Sequence, residues 1–153
     1  MPPAVHTHTG DEDVKMPKQS PVSGEIDKPF WDGCNEERLV IQHCDACDSF
    51  QHPPGDSCYW CDAPSEKLSW REISGAGTVY SYAVVHDTPI ALLQAEQPFN
   101  VVIVDLDEAP GINMISHMRD VPLGDVPIDA PVTVFFETTP GNGQKIPQWQ
   151  LAT

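Results

Sequence analysis

Residues 43–61 read HCDACDSFQHPPGDSCYWC, and four cysteines fall there in two pairs, Cys44/Cys47 and Cys58/Cys61. The spacing is C-x2-C-x10-C-x2-C. Two intervening residues let both thiolates of a pair reach one ion from a tight turn, and the second pair completes a tetrahedron of sulfur. Four cysteine ligands leave no open coordination position, so such an ion is structural. It contributes folding energy that a segment this short does not obtain from its own core. Cys44, Cys47, Cys58 and Cys61 are therefore the expected metal ligands. Zn2+ is the expected ion, and iron held by the same four sulfurs is its rival. A redox reading of one CxxC needs a thioredoxin-like βαβ pattern, which the flanking sequence lacks.

The rest of the 153-residue chain narrows the class. It carries 23 acidic against 8 basic residues, a formal net charge of -15. Nucleic-acid binding needs clustered Lys and Arg, and from residue 29 onward there are 18 acids and 5 bases. Nucleic acid and anionic membrane surfaces are thus disfavoured. No apolar run approaches the ~20 residues of a membrane span. The opening MPPAVHTHTGDEDVKMPKQS has no apolar stretch of the secretory kind, which makes a cytoplasmic location the expectation. Sixteen prolines argue against long helices.

Residues 1–28 contain no aromatic residue and four prolines, and are expected to be a disordered tail. His6 and His8 within it read as solvated side chains. At KPFWDGCNEERLVIQHC the composition changes, and Pro29 is placed to open a short helix. RLVIQHC alternates as a strand leading into Cys44. After Cys61 the pattern is β: KLSWREI, TVYSYAVVH, FNVVIVDLD, INMISHM and VTVFFET read as strands, with KIPQWQLAT extended at the end. SGAG marks a turn or bulge in which Gly75 and Gly77 can take positive φ. Five or six strands without a strong helix fit a small closed barrel or a sandwich.

The order PFWDG, a strand into CxxC, HPPGDSCYWC and WREISGAGTVYSYAVVH resembles the acyl-CoA-associated zinc-ribbon OB-fold proteins, long labelled only as a domain of unknown function. The resemblance covers about residues 29–151. It implies a mainly β fold: a short N-terminal helix with a rubredoxin-like zinc ribbon over residues 29–66, then a five- to six-stranded OB-fold barrel over 67–153. It also implies a role. Members are companions of thiolase-superfamily enzymes: thiolases, acyltransferases and aldolases that cleave steroid side-chain CoA thioesters. The implied function is a non-catalytic accessory subunit in a hetero-oligomer with such an enzyme, with acyl-CoA at the shared interface. The alternative is an acyl-CoA-binding module that channels intermediates between two enzymes. The family's Ile-Gly pair before the last long strand is Ile128-Asp129 here, and its final Pro-x-Phe is Pro147-Gln148-Trp149.

Other residues offer both a functional and an ordinary role. Phe30 and Trp31 either pack on their own ribbon or anchor a partner. Trp60, inside the second CxxC, is expected to pack over the ribbon. His86, where a strand ends, reads as a loop histidine that can line an edge facing a partner. Asp105 and Asp107 share a strand face and read as solvated. His43 and His52 flank the cysteine pairs as supporting or surface groups, since four cysteines already saturate zinc. Cys34 reads as an ordinary free thiol, because no base partners it. The apolar PIALL in the loop from Thr88 to Pro98 is either hidden core or a surface buried in a complex. A rubredoxin-like electron carrier would be red with ferric iron, and a self-sufficient enzyme would be active as the pure chain.

Overall fold

The structure is a computed structural model and describes residues 19–153; His6 and His8 lie outside the described residues. Helix α1 spans Lys28–Asn35 with Pro29 in its first turn, where a missing N–H costs nothing. Its buried face is Phe30, Gly33 and Cys34, the i, i+3, i+4 positions of an amphipathic turn. Glu37, at φ 58°, reverses the chain into β1 (Leu39–Cys44). The sequence predicts alternation along β1, but all six residues are buried, because both faces of the strand are covered.

β1 is the centre of a three-stranded antiparallel sheet between β2 (Ser49–Gln51) and β3 (Leu68–Ile73). β3 reads from sequence as the first barrel strand. It pairs with β1 along its whole length, from Leu39–Ile73 to Cys44–Leu68. The barrel proper has five strands: β4 (Gly77–Val85), β5 (Phe99–Leu106), β6 (Asn113–Ser116), β7 (Pro131–Thr138) and β8 (Lys145–Leu151). They hydrogen-bond in the order β6-β5-β4-β7-β8. Ser116 and Gln148 bridge the two edge strands: the Ser116 hydroxyl donates to Gln148 Oε1 at 2.9 Å and accepts the Trp149 N–H at 2.8 Å. These bonds bring the two edge strands together through side chains, without a backbone ladder between β6 and β8.

β5 alternates buried and half-buried residues, as a strand does with one face on a core. That core is shared. Phe30, Leu39 and Ile41 from the helix and ribbon pack in the same cluster as Val79, Val102, Val104 and Trp149 from the barrel. The passage between ribbon and barrel runs through Gly75, at φ 80°. Its carbonyl accepts the buried Trp149 indole N–H at 2.9 Å. Gly77 has no positive φ. It opens β4, where a Cβ would lie 2.6 Å from the Asp105 carbonyl.

Residues 19–27 belong to the stretch expected as a tail, yet they meet the β7–β8 turn. The Gly141 N–H donates to Ser20 Oγ at 2.8 Å, and Asn142 Nδ2 donates to the Pro21 carbonyl at 3.0 Å. From the same turn, Gln144 Nε2 donates to the Trp31 carbonyl at 3.1 Å, so one hairpin holds both the incoming chain and α1. Among the described residues, no helix is long and apolar enough to cross a membrane.

Candidate metal centre

The two CxxC turns are built alike. In each, the first cysteine (Cys44, Cys58) is buried and the second (Cys47, Cys61) is exposed. Each is followed by an aspartate in the left-handed region, Asp48 at φ 56° and Asp62 at φ 57°. Aspartate tolerates that conformation better than most residues, and it lets the chain double back behind the sulfurs. β1 delivers Cys44. The Asp62 N–H donates to the Cys58 carbonyl at 3.1 Å, and the Cys58 N–H to the Ala63 carbonyl at 2.9 Å, closing the second turn.

The four Sγ atoms lie within 4.8 Å of one another. Cys44 and Cys61 approach to 3.7 Å, Cys47 and Cys58 to 3.6 Å. A tetrahedral ion with Zn–S bonds of about 2.3 Å requires S···S edges of about 3.8 Å. The donor set therefore fits one tetrahedral ion with soft ligands. The Trp60 N–H points at Cys58 Sγ from 3.4 Å, and the Ser49 hydroxyl lies 2.9 Å from Cys47 Sγ. The backbone N–H directed at Cys58 Sγ favours its thiolate.

His43 stands beside this site without contributing to it. Its ring is buried, with Nδ1 2.9 Å from Asp45 Oδ1 and Nε2 2.8 Å from Asp48 Oδ1. It therefore ties both ends of the first cysteine turn to β1. The hydrogen bond from His43, aided by Ser69, holds the Asp45 carboxyl below its ordinary range. His52 packs on Phe30 with ring centroids 5.0 Å apart, and burial pushes its pKa down.

The other candidates separate clearly. Phe30 is 3% exposed and is absorbed by the core. Trp31 is half-buried against it, with its indole N–H donating to Asp27 Oδ2 at 3.0 Å. Packing on the chain's own body accounts for Phe30, while Trp31 keeps part of its ring open to a groove. Trp60 departs from its expected role: it is 73% exposed, with Tyr59 beside it at 55%. His86 is exposed just past β4. Asp105 accepts from Asn113 and Asp107 from Thr78, both as partnered strand-end groups. Cys34 is fully buried, and burial pushes its thiol up to about 12, which suits an inert core side chain. The PIALL segment leads into a 3-10 helix, Ala91–Glu96, and leaves Leu92 65% exposed, so it is not core.

Two concave regions were not legible in the sequence. A cleft of ≈ 570 Å³ is lined by Phe99, Asn100, His117, Met118 and Arg119 among others. A more apolar groove of ≈ 450 Å³ runs between Trp31, Pro53 and Ile115. Their residues come from elements far apart in the chain, which no local pattern joins.

A closed four-sulfur site on a three-stranded ribbon, continuous with a five-stranded barrel, defines a zinc-ribbon OB-fold protein. Comparison with known proteins gives the family. Residues 31–65 match the model described as the ChsH2 rubredoxin-like zinc ribbon domain, and residues 70–137 match the ChsH2 C-terminal OB-fold domain. The chain belongs to this family, also called DUF35. It is similar to a solved chain described as Ltp2-ChsH2(DUF35) aldolase, with 28% identity and a TM-score of 0.73, over 88% of this chain and 100% of that one. A DUF35 protein of unknown function from Sulfolobus solfataricus shares the fold, with 17% identity, a TM-score of 0.53, and 73% and 78% of the two chains covered. A probable enoyl-CoA hydratase alpha subunit of Thermomonospora curvata is 34% identical over 111 residues, 71% of this chain. The present chain spans only 32% of that relative's length.

Proposed function

We propose that this chain is a non-catalytic accessory subunit of a thiolase-superfamily acyl-CoA enzyme, of which a retro-aldolase acting on steroid-like side chains is the most specific candidate. The observation that carries the reading is the likeness to the ChsH2 chain of an aldolase assembly, over all of that chain's length. Cys44, Cys47, Cys58 and Cys61 hold one structural zinc ion, whose closed coordination braces the ribbon and supplies no reactive position. The partner supplies the nucleophile, base and oxyanion donors. This chain supplies contacts and a wall of the pocket or CoA entrance.

The cleft lined by Phe99, His117 and Arg119 offers the space for a second reading, an acyl-CoA-binding and channelling module, although Glu96 and Asp120 also line it and Arg119 pairs with Glu137. The tests differ. Tagged protein is recovered from its native lysate, and co-purifying chains are identified by mass spectrometry. Near-stoichiometric recovery of a thiolase-fold enzyme supports the accessory reading. Recovery of the chain alone, folded and tight for CoA thioesters, rejects it in favour of the channelling module. Metal analysis of the purified chain is expected to give one zinc per chain and a colourless solution. A red solution identifies iron instead.

A further inference from the structure

Tyr59 and Trp60 point outward from between two metal ligands, Cys58 and Cys61. Tryptophan is highly buried on average, yet Trp60 is 73% exposed. It is not loose. Its indole N–H donates to the Phe50 carbonyl at 3.3 Å, and its backbone N–H is directed at Cys58 Sγ. Tyr59 lies directly over Gly55, where an added Cβ would fall 2.7 Å from the tyrosine hydroxyl. Two large aromatic side chains are therefore held in place by β2, by Gly55 and by a turn that one ion closes.

The charge around them is predominantly negative. From Leu39 to Glu66 the chain carries Asp45, Asp48, Asp56, Asp62 and Glu66 and no Lys or Arg, while Lys67 follows directly and Arg71 on β3 reaches Asp45 at 3.5 Å. All five carboxylates are exposed. Four thiolates on a divalent ion add two further negative charges. A second copy of this chain would bring the same field and be repelled. The phosphates of a CoA, a nucleic acid or an anionic membrane would be repelled as well. What complements the patch is a protein surface with an apolar socket and a rim of Lys and Arg.

We propose that Tyr59 and Trp60 are the anchor by which the ribbon docks on its partner enzyme, in an apolar socket with a basic rim. The proposal rests on the accessory-subunit reading. Trp and Tyr dominate interface hot spots, and side chains fixed before association lose little entropy on binding. The metal is thereby tied to recognition: it holds rigid the turn that presents the anchor.

The test uses the full chain and the thiolase-superfamily enzyme that co-purifies with it. Trp60→Ser and Trp60→Phe are prepared zinc-loaded, and their affinity for that enzyme is measured by titration. Trp60→Ser is expected to weaken binding by about 30-fold or more, and Trp60→Phe to recover most of it. Wild-type affinity is expected to fall about tenfold between ~50 and ~300 mM NaCl. Oxidative footprinting of the wild-type complex, which depends on no variant, is expected to protect Trp60. Affinity of Trp60→Ser within about twofold of wild type, or an unprotected Trp60, overturns the proposal and leaves the accessory reading standing. Failure of the wild-type chain to recover any such enzyme overturns both. Saturable binding of free coenzyme A that Trp60→Ser abolishes overturns the anchor in favour of stacking on a nucleotide base.

Discussion

Replacing Gly75 with alanine is expected to cost about 2–5 kcal/mol of stability, because two independent penalties meet at that residue. Its φ of 80° lies in the left-handed region, where an L side chain costs about 1–2 kcal/mol. A Cβ there would overlap the Val134 side chain on β7, and forced overpacking costs a further ~1–3 kcal/mol. The residue cannot move away freely. Its carbonyl accepts the Trp149 indole, and neighbouring Ser74 is held through its backbone N–H and hydroxyl by Glu108. Denaturant unfolding of zinc-loaded protein, followed by tryptophan fluorescence, measures the loss. At roughly 4 °C per kcal/mol the melting temperature falls by about 8–20 °C. The double substitution Gly75→Ala/Val134→Ala separates the two penalties. Removing the Val134 γ-methyls relieves the tighter overlap, with Cγ1, and leaves the backbone strain and the 2.8 Å approach to the Val134 Cβ, so the cycle is expected to show about 1 kcal/mol of favourable coupling. A loss under ~1 kcal/mol for Gly75→Ala, or additive behaviour in the cycle, would refute this account of the ribbon–barrel passage.

Two titration predictions follow from burial. His52 has a folded pKa below its ordinary value of 6.5, because burial disfavours the imidazolium. The stability this contributes is full above pH 6.5 and is lost as pH falls through the depressed folded value; His52→Gln should flatten that acid limb, and an unchanged limb would refute it. Cys34 has its thiol raised from 9.0 to about 12 by burial, so its contribution is full below pH 9.0 and is lost as pH rises towards 12. The zinc-loaded native chain should resist alkylation at Cys34 at about pH 8 and react there only after unfolding, and labelling at the rate of a free cysteine would count against a closed core.

The metal centre was legible in the sequence because chelation by CxxC is local: two residues of spacing bring two sulfurs to one ion whatever the rest of the chain does. The strands from TVYSYAVVH onward were legible for a similar reason, since alternation records which side of a strand meets a core. The resemblance carried the barrel type and the family. Local pattern did not say which strand pairs with which. KLSWREI reads as a strand either way, and only the tertiary register shows that its partner is β1. Nor did it say where aromatic residues end up. Phe30 and Trp60 are equally apolar in sequence, yet one is 3% and the other 73% exposed. The difference is tertiary. Phe30 lies on the helix face that closes over Ile41 and the shared core. Trp60 sits in a turn whose inner side is filled by sulfur, leaving its indole only the outside.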